Sequence, residues 1–460
     1  MTPEVRAFVR LLLGRISQLE EEVAELKQQL KDSSRFGREP AKNSTPPAGQ
    51  NSSPPKTPGK KRRKRGGQPG HPKHARPLIP SEQCDEVKAL KPTECRSCGT
   101  VLEGEDPEPL RHQVYELPEI KLHVTEYQRH RLICPCCQKQ TCAELPLGVP
   151  AGQSGVRLVA FTALLMGMFR QSKRRVALFC ETLFGHSISP GLVVKLQQQA
   201  SECLAACHEE LAAAIPQQPA VCADETPTRE ANGNAWIWTV VATTFTLFRV
   251  RLTKASVVIK ELLGTDFTGV VTSDRAKTYH WIWRHQWCWA HLKRDFEKMA
   301  LRTGQAGEIG QKLLECAHRL FHHWHRVRDG TITRRGFEAL MTRLRSDVES
   351  LLTRGCRCAN SATAATCTEL LTYSANLWMF QYCENVEPTN NAAERSLRHP
   401  VIWRRLSFGT QSANGSRFVE RLLTVLETCR QQKRSPFQFL CDSIHAQRHG
   451  LQAPSLLAGV

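Results

Sequence analysis

No run of about 18 apolar residues occurs in this 460-residue chain, so no transmembrane helix is predicted. The N-terminal stretch carries charges throughout and lacks the apolar region of a signal peptide. Acidic residues are in deficit. Asp and Glu number 44 against 63 Lys and Arg, giving a formal net charge of +19 and a pI of about 9.4. That balance fits a polyanionic partner, nucleic acid ahead of a membrane surface. The 19 cysteines are scattered along a long chain without secretion signals. Reduced thiols and a metal site in a cytosolic protein follow from that usage.

The length accommodates several cores and hence several domains. Val5, Leu12, Leu19 and Leu26 fall seven apart, as do Val9, Ile16, Val23 and Leu30. This seam predicts a coiled-coil dimerisation helix over 1–31, with an amphipathic helix on the protein's own core as the other reading. Residues 32–83 hold ten prolines between Pro40 and Pro80 and read as a disordered basic linker. Within it, Lys60, Lys61, Arg62, Arg63, Lys64 and Arg65 form a run expected to contact DNA phosphates without sequence specificity; a solubilising tail is the alternative.

Residues 84–150 carry Cys95-x-x-Cys98 and Cys134-x-x-Cys137. Two such pairs can offer four thiolates to one tetrahedral Zn²⁺, since each short turn presents two sulfurs on one side. Ile120, Leu122 and Val124 alternate with polar neighbours, which predicts a β-hairpin between the pairs, as in a zinc ribbon. Residues 151–210 read as helical. Val156 to Gln171 and Arg174 to Phe184 are apolar-periodic, Gly185 is a helix stop, and Ser189-Pro190 starts a third helix. That spacing suits a helix-turn-helix, or a plain three-helix bundle.

Strand character begins near residue 218. Trp236 to Thr244 is rich in β-branched and aromatic residues, and Asn232-Gly233-Asn234 before it predicts a hairpin turn. Residues 286–388 return to a helical pattern. Three carboxylates punctuate this region. Asp224 closes the apolar stretch Ala220 to Ala223, Asp274 closes Val270 to Ser273, and Glu394 sits in the helix-like Thr389 to Arg398. Each has an ordinary explanation. An aspartate at a strand end often forms a turn, Ser273-Asp274 can cap a helix, and Asn391-x-x-Glu394 matches a capping box. Two strand-end aspartates and a helical glutamate in one basic protein form a combination that can hold two Mg²⁺ ions roughly 4 Å apart, the arrangement that cuts and rejoins phosphodiesters. Glu225 should face the other way, because neighbouring strand residues alternate. Arg395 and Arg398, on the same helix as Glu394, are expected to hold phosphates. Cys288-Trp289-Ala290-His291 looks like half a zinc site. His318, His322, His323 and His325 read as a solvated or DNA-facing helix surface.

With these residues assembled, the chain resembles the insertion-sequence-66 family of bacterial DDE transposases. Ala223 to Thr226, Trp287 to Arg294 and Thr389 to Arg398 carry the resemblance; Gly66 to His71, the two cysteine pairs and Ser435 to Leu440 extend it over nearly the whole chain. The resemblance implies an RNase H-like DDE catalytic domain over 211–430, interrupted by a helical insertion at about 286–388, with a C-terminal element at 431–460. The fold class expected is therefore α/β and multidomain. The resemblance assigns Asp224, Asp274 and Glu394 as the metal-binding triad, and Cys288 with His291 as structural support beside it. The family commonly has Gly after the second Asp, where this chain has Arg275.

The function expected is metal-dependent cleavage at the ends of an insertion element and strand transfer into target DNA. A catalytically inactive DNA-binding protein and a nuclease that cuts without joining are the alternatives. Expected partners are double-stranded DNA, a second copy of the chain or a higher homo-oligomer, and accessory transposition proteins. The expected location is the cytoplasm, in association with the nucleoid.

Overall fold

The computed structural model describes residues 77–457; the heptad seam and the Lys60 to Arg65 run lie outside the described residues. The chain divides into two compact units, Met1–Glu116 and Leu117–Val460. The described part of the first unit is built around a cysteine knuckle. The Cys95 amide donates to Thr100 O at 2.8 Å, the Gly99 amide donates to Cys95 O at 2.9 Å, and Glu94 bridges to Val101. Gly99, at φ +73°, supplies the left-handed residue that closes this turn.

The second unit begins with the same device. Strands β1 (Arg131–Ile133) and β2 (Gln140–Cys142) pair antiparallel around the second cysteine pair. The Cys134 amide donates to Lys139 O and the Gln138 amide to Cys134 O, both at 2.9 Å, with Gln138 at φ +55°. The knuckle itself therefore closes the hairpin. The expected strand through Ile120, Leu122 and Val124 does not form, and Ile120 and Val124 are exposed. Alternation alone cannot hold a strand that has neither a partner ladder nor a core to face.

Helices α1 (Val156–Gly167), α2 (Lys173–Phe184), α3 (Pro190–Cys203) and α4 (Ala205–Ala214) follow. Gly185 ends α2 in the left-handed conformation, at φ 60°. The Ser189 hydroxyl accepts the Leu192 amide, and Pro190 opens α3.

Five strands then form one mixed sheet: β3 (Ala220–Glu230), β4 (Gly233–Val241), β5 (Thr246–Arg251), β6 (Val270–Ser273) and β7 (His285–Trp287), in the order β5-β4-β3-β6-β7. β4 is antiparallel to both its neighbours, while β3, β6 and β7 run parallel. The β3–β4 turn consists of Ala231 and Asn232, both at positive φ, with Gly233 already paired to Glu230. It lies one residue earlier than the Asn-Gly signal suggests, and its pair of left-handed residues matches the twist of the strands. Helix α5 (Ser256–Leu263) joins β5 to β6.

Between β7 and the next core helix lie α6 (Trp289–Ala300), α7 (Gln305–Arg328), α8 (Arg334–Cys356), α9 (Ser361–Thr372) and the short α10 (Met379–Tyr382). They enclose a second core that includes Phe296, Leu313, Phe337, Leu344, Leu352 and Trp378 and that takes in Ala220, Val270 and Trp287 of the sheet. Gly310 allows α6 and α7 to close up, since a Cβ there would lie 2.3 Å from the Ala300 nitrogen. The chain leaves and re-enters the sheet layer at one place, where the Trp289 amide donates to Pro388 O at 2.8 Å. Three helices complete the fold: α11 (Asn391–Ser407), α12 (Ala413–Gln431) and α13 (Pro436–Arg448).

Helix α12 lies along the outer edge of β5. Thr428 Oγ1, Thr424 Oγ1 and Glu420 Oε2 accept the amides of Thr246, Phe248 and Val250 at 3.1, 2.9 and 2.7 Å. Side chains spaced four apart on one helix face thus satisfy the alternate amides that an edge strand leaves unpaired.

Candidate active site

Asp224 lies inside β3 rather than at its end, because the strand continues to Glu230 opposite β4. On the other side, however, β3 pairs with β6 only through Cys222 and Thr272. Asp224 and Asp274 each stand two residues beyond that last pair. Both aspartates therefore emerge where two parallel strands part, and the register that aligns Cys222 with Thr272 also brings them side by side.

Glu394 is in the first turn of α11, and the start of that helix is tied to both strands. The Cys288 amide donates to Ser273 O at 3.0 Å. The Cys288 sulfur accepts the Asn390 amide at 3.2 Å, and Asn390 Nδ2 donates to Ala223 O at 2.9 Å. Each link sits beside one of the acids: Ser273 precedes Asp274, Ala223 precedes Asp224, and Asn390 lies one turn before Glu394. Thr239, opposite Asp224 in the ladder, adds a hydroxyl contact to Ser396 at 3.1 Å. The N-cap of α11 is Asn390, without a side-chain cap, so the Asn391 capping box does not form. The Glu394 carboxylate is directed elsewhere.

Burial pushes the Asp224 carboxyl well above its usual range, and the negative charges of Glu225, Asp274 and Glu394 add to the effect. Its own acceptor bond from the Glu225 amide, at 2.9 Å, opposes it. Asp274 accepts the Ala276 amide at 2.9 Å. Glu394 Oε1 is buried without a hydrogen-bond partner; His291 Nδ1 at 3.7 Å and the Arg294 guanidinium at 3.9 Å are its nearest charged or polar neighbours across the helices. His291 Nδ1 is likewise buried and unpartnered, and burial followed by the Arg294 charge holds its pKa down. Three acids drawn together, one of them desolvated and one with an orphaned oxygen, are chemically suited to hard divalent cations. Among the described residues, the donor group whose ligand atoms all lie within 4.8 Å of one another is Cys288, His291 and Glu394; Asp224 and Asp274 do not join it at that distance.

The surrounding residues keep their own charges paired. Glu225 accepts Tyr279 Oη at 2.6 Å and meets Lys254 Nζ at 2.8 Å. Arg275 follows Asp274 directly, and its guanidinium reaches Glu369 on α9 at 2.7 Å and Asp295 on α6. His285 accepts the Trp287 indole N–H on Nδ1 at 3.1 Å, so its proton is on Nε2, facing Ser273 Oγ at 2.7 Å. Ser273 Oγ in turn donates to Asp274 O at 2.8 Å.

Arg395 and Arg398 are exposed on α11. In the first cysteine knuckle, hydrogen bonding by Thr100 lowers the Cys98 thiol pKa; in the second, the backbone amides of Cys137 and Cys136 lower that of Cys134. Both effects favour the thiolate that zinc requires. Sequence reasoning gave no role to Asn390, Tyr279 or Lys254. Asn390 alone had a visible signal, as part of the Thr389-Asn390-Asn391 run.

A model of the family described as Transposase IS66 family matches residues 152–417. No curated protein matches the chain.

Proposed function

The chain belongs to the IS66 family of transposases, and on that premise we propose that Asp224, Asp274 and Glu394 are the catalytic carboxylates of an RNase H-like core that cleaves insertion-element ends and joins them to target DNA. The observation that carries the proposal is the set of hydrogen bonds from Cys288 to Ser273 and from Asn390 to Cys288 and Ala223, which ties the start of the Glu394 helix to the two strands that position the aspartates. The sheet order β5-β4-β3-β6-β7, with only β4 reversed, supports the RNase H-like reading. So does a helix that delivers the third acid from beyond the insertion.

The three carboxylates would hold two Mg²⁺ ions, which supply charge neutralisation at the entering and leaving oxygens and a more acidic attacking water. Asp224 and Asp274 fix one side of that space through the strand register. Asn390 and Cys288 fix the position of Glu394 relative to both. Arg395 and Arg398 extend from α11 to hold DNA phosphates. Water attacks the phosphodiester at the element end and frees a 3′-hydroxyl, which then attacks target DNA. Cys95, Cys98, Cys134 and Cys137 would supply thiolates to Zn²⁺.

The test uses the full chain, Mg²⁺, a duplex carrying the element end and a target plasmid. Wild type should cut and join. Asp224→Asn, Asp274→Asn and Glu394→Gln should each reduce both steps to background while DNA binding persists, because binding comes from basic surfaces rather than from the acids. A Glu394→Gln protein that still moves its element would overturn the assignment. Cutting without joining would mark a nuclease, and binding without either step an inactive DNA-binding protein.

A further inference from the structure

We propose that the cavity between α6, α7 and the start of α11 binds a phosphodiester of the DNA strand next to the bond being cut, an inference that rests on the transposase reading above. The cavity measures about 470 Å³. Lys293 and Arg294 of α6 face His318, Phe321 and His325 of α7 across it, and Asn391 closes one end. The α7 residues are spaced three and four apart, so they form one helix face. That face gives a purpose to the histidine-rich segment, which the catalytic carboxylates do not use.

The chemistry of the lining selects an anion. Glu297 is the one carboxylate in the wall, 3.6 Å from Lys293 Nζ. Arg294 lies 3.9 Å from Glu394 Oε1 and gives its Nε proton to Ala290 O at 3.3 Å. Neither cation has a hydrogen bond to a carboxylate, so both keep donors for a ligand. The first intrahelical bond of α11 runs from the Glu394 amide to Asn390 O. The amides of Asn391, Ala392 and Ala393 precede it at the positive end of a 17-residue helix, and Asn391 lines the cavity. The cavity exceeds the needs of a single phosphate ion, and the Phe321 ring offers an apolar wall against which a sugar can rest.

Position selects DNA over a free anion. Arg294 belongs both to this cavity and to the surroundings of Glu394. A strand whose reacting phosphate lies at the carboxylates must carry its neighbouring phosphate past Arg294, toward Lys293 and the two histidines. The insertion then contributes directly to holding the substrate, with α6 and α7 supplying most of the binding surface.

The test is a chemical double-mutant cycle on the full chain. Element-end duplexes carry a neutral methylphosphonate at one backbone position at a time, and binding is measured without divalent metal. In wild type, one position beside the cleavage site should weaken binding by about tenfold, the value of a charge-assisted hydrogen bond. In Lys293→Ala/His318→Ala that penalty should vanish, while penalties at all other positions stay the same. His325→Ala, at a separate exposed position, should reduce the same penalty and no other. An unchanged penalty profile in both variants, or a wild-type profile with no such position, overturns the inference. The cleavage assay stays separate: a chain that cuts but shows no such position loses only this inference, and one that shows the position but never cuts loses only the catalytic assignment.

Discussion

Asn390 connects two strands that are otherwise far from it in sequence. Its side chain reaches Ala223 across 167 positions, and its amide reaches Cys288 across 102. Asn390→Ala removes a buried bond to a strand carbonyl, which should cost about 1–3 kcal/mol in stability. Strand transfer should fall much further than that loss explains, because Glu394 then loses its fixed distance from Asp224. Urea titration beside a strand-transfer assay checks both. His285 gives a pH signature. Burial depresses its pKa to about 3, against about 6.5 unfolded. Its contribution is full above pH 6.5 and is lost as pH falls toward 3, since the unfolded chain takes up a proton that the folded one refuses. Between pH 7 and pH 5, wild type should lose about 2 kcal/mol more stability than His285→Gln. Equal losses would mean that His285 is already protonated in the fold. At this scale the placement of Asp274 just after a strand and of Glu394 near a helix start was legible, because each follows a recognisable local pattern. Asn390 and His285 were not, because their partners come from remote elements.

Elements were legible where the deciding chemistry is local. Gly185 stops α2 and Ser189-Pro190 starts α3 within a few residues of chain. They were illegible where a partner decides: the alternation at Ile120 to Val124 has no ladder to join, and Asp224 proved to lie inside a strand because β4 extends beyond β6. The α12 ladder over β5 is another partner effect. Thr424 and Thr428 read as ordinary polar positions in a helix, yet their hydroxyls accept the amides of Phe248 and Thr246. Thr424→Val keeps the shape and strands one buried amide, for an expected cost of about 1–3 kcal/mol. Thermal unfolding measures it. A neutral result would mean that water reaches the β5 edge.

For the whole molecule, the hydrogen bond from Trp289 to Pro388 marks where the two ends of the insertion meet, and it yields a prediction about folding. Without a folded insertion, bringing β7 next to α11 closes a loop of about 100 residues, at an entropic cost on the order of 4 kcal/mol. Once α6 to α10 have condensed on their shared core, their two ends already lie side by side and that cost has been met by local contacts. The insertion then works as a folding template for the joint where Cys288 meets Asn390. Leu344→Ala, in the insertion core and distant in sequence from Asp224, Asp274 and Glu394, should cost about 2–5 kcal/mol. In stopped-flow refolding it should also slow the recovery of the joint between Cys288 and Asn390. If the variant only speeds unfolding, the sheet layer assembles first and the insertion docks afterwards.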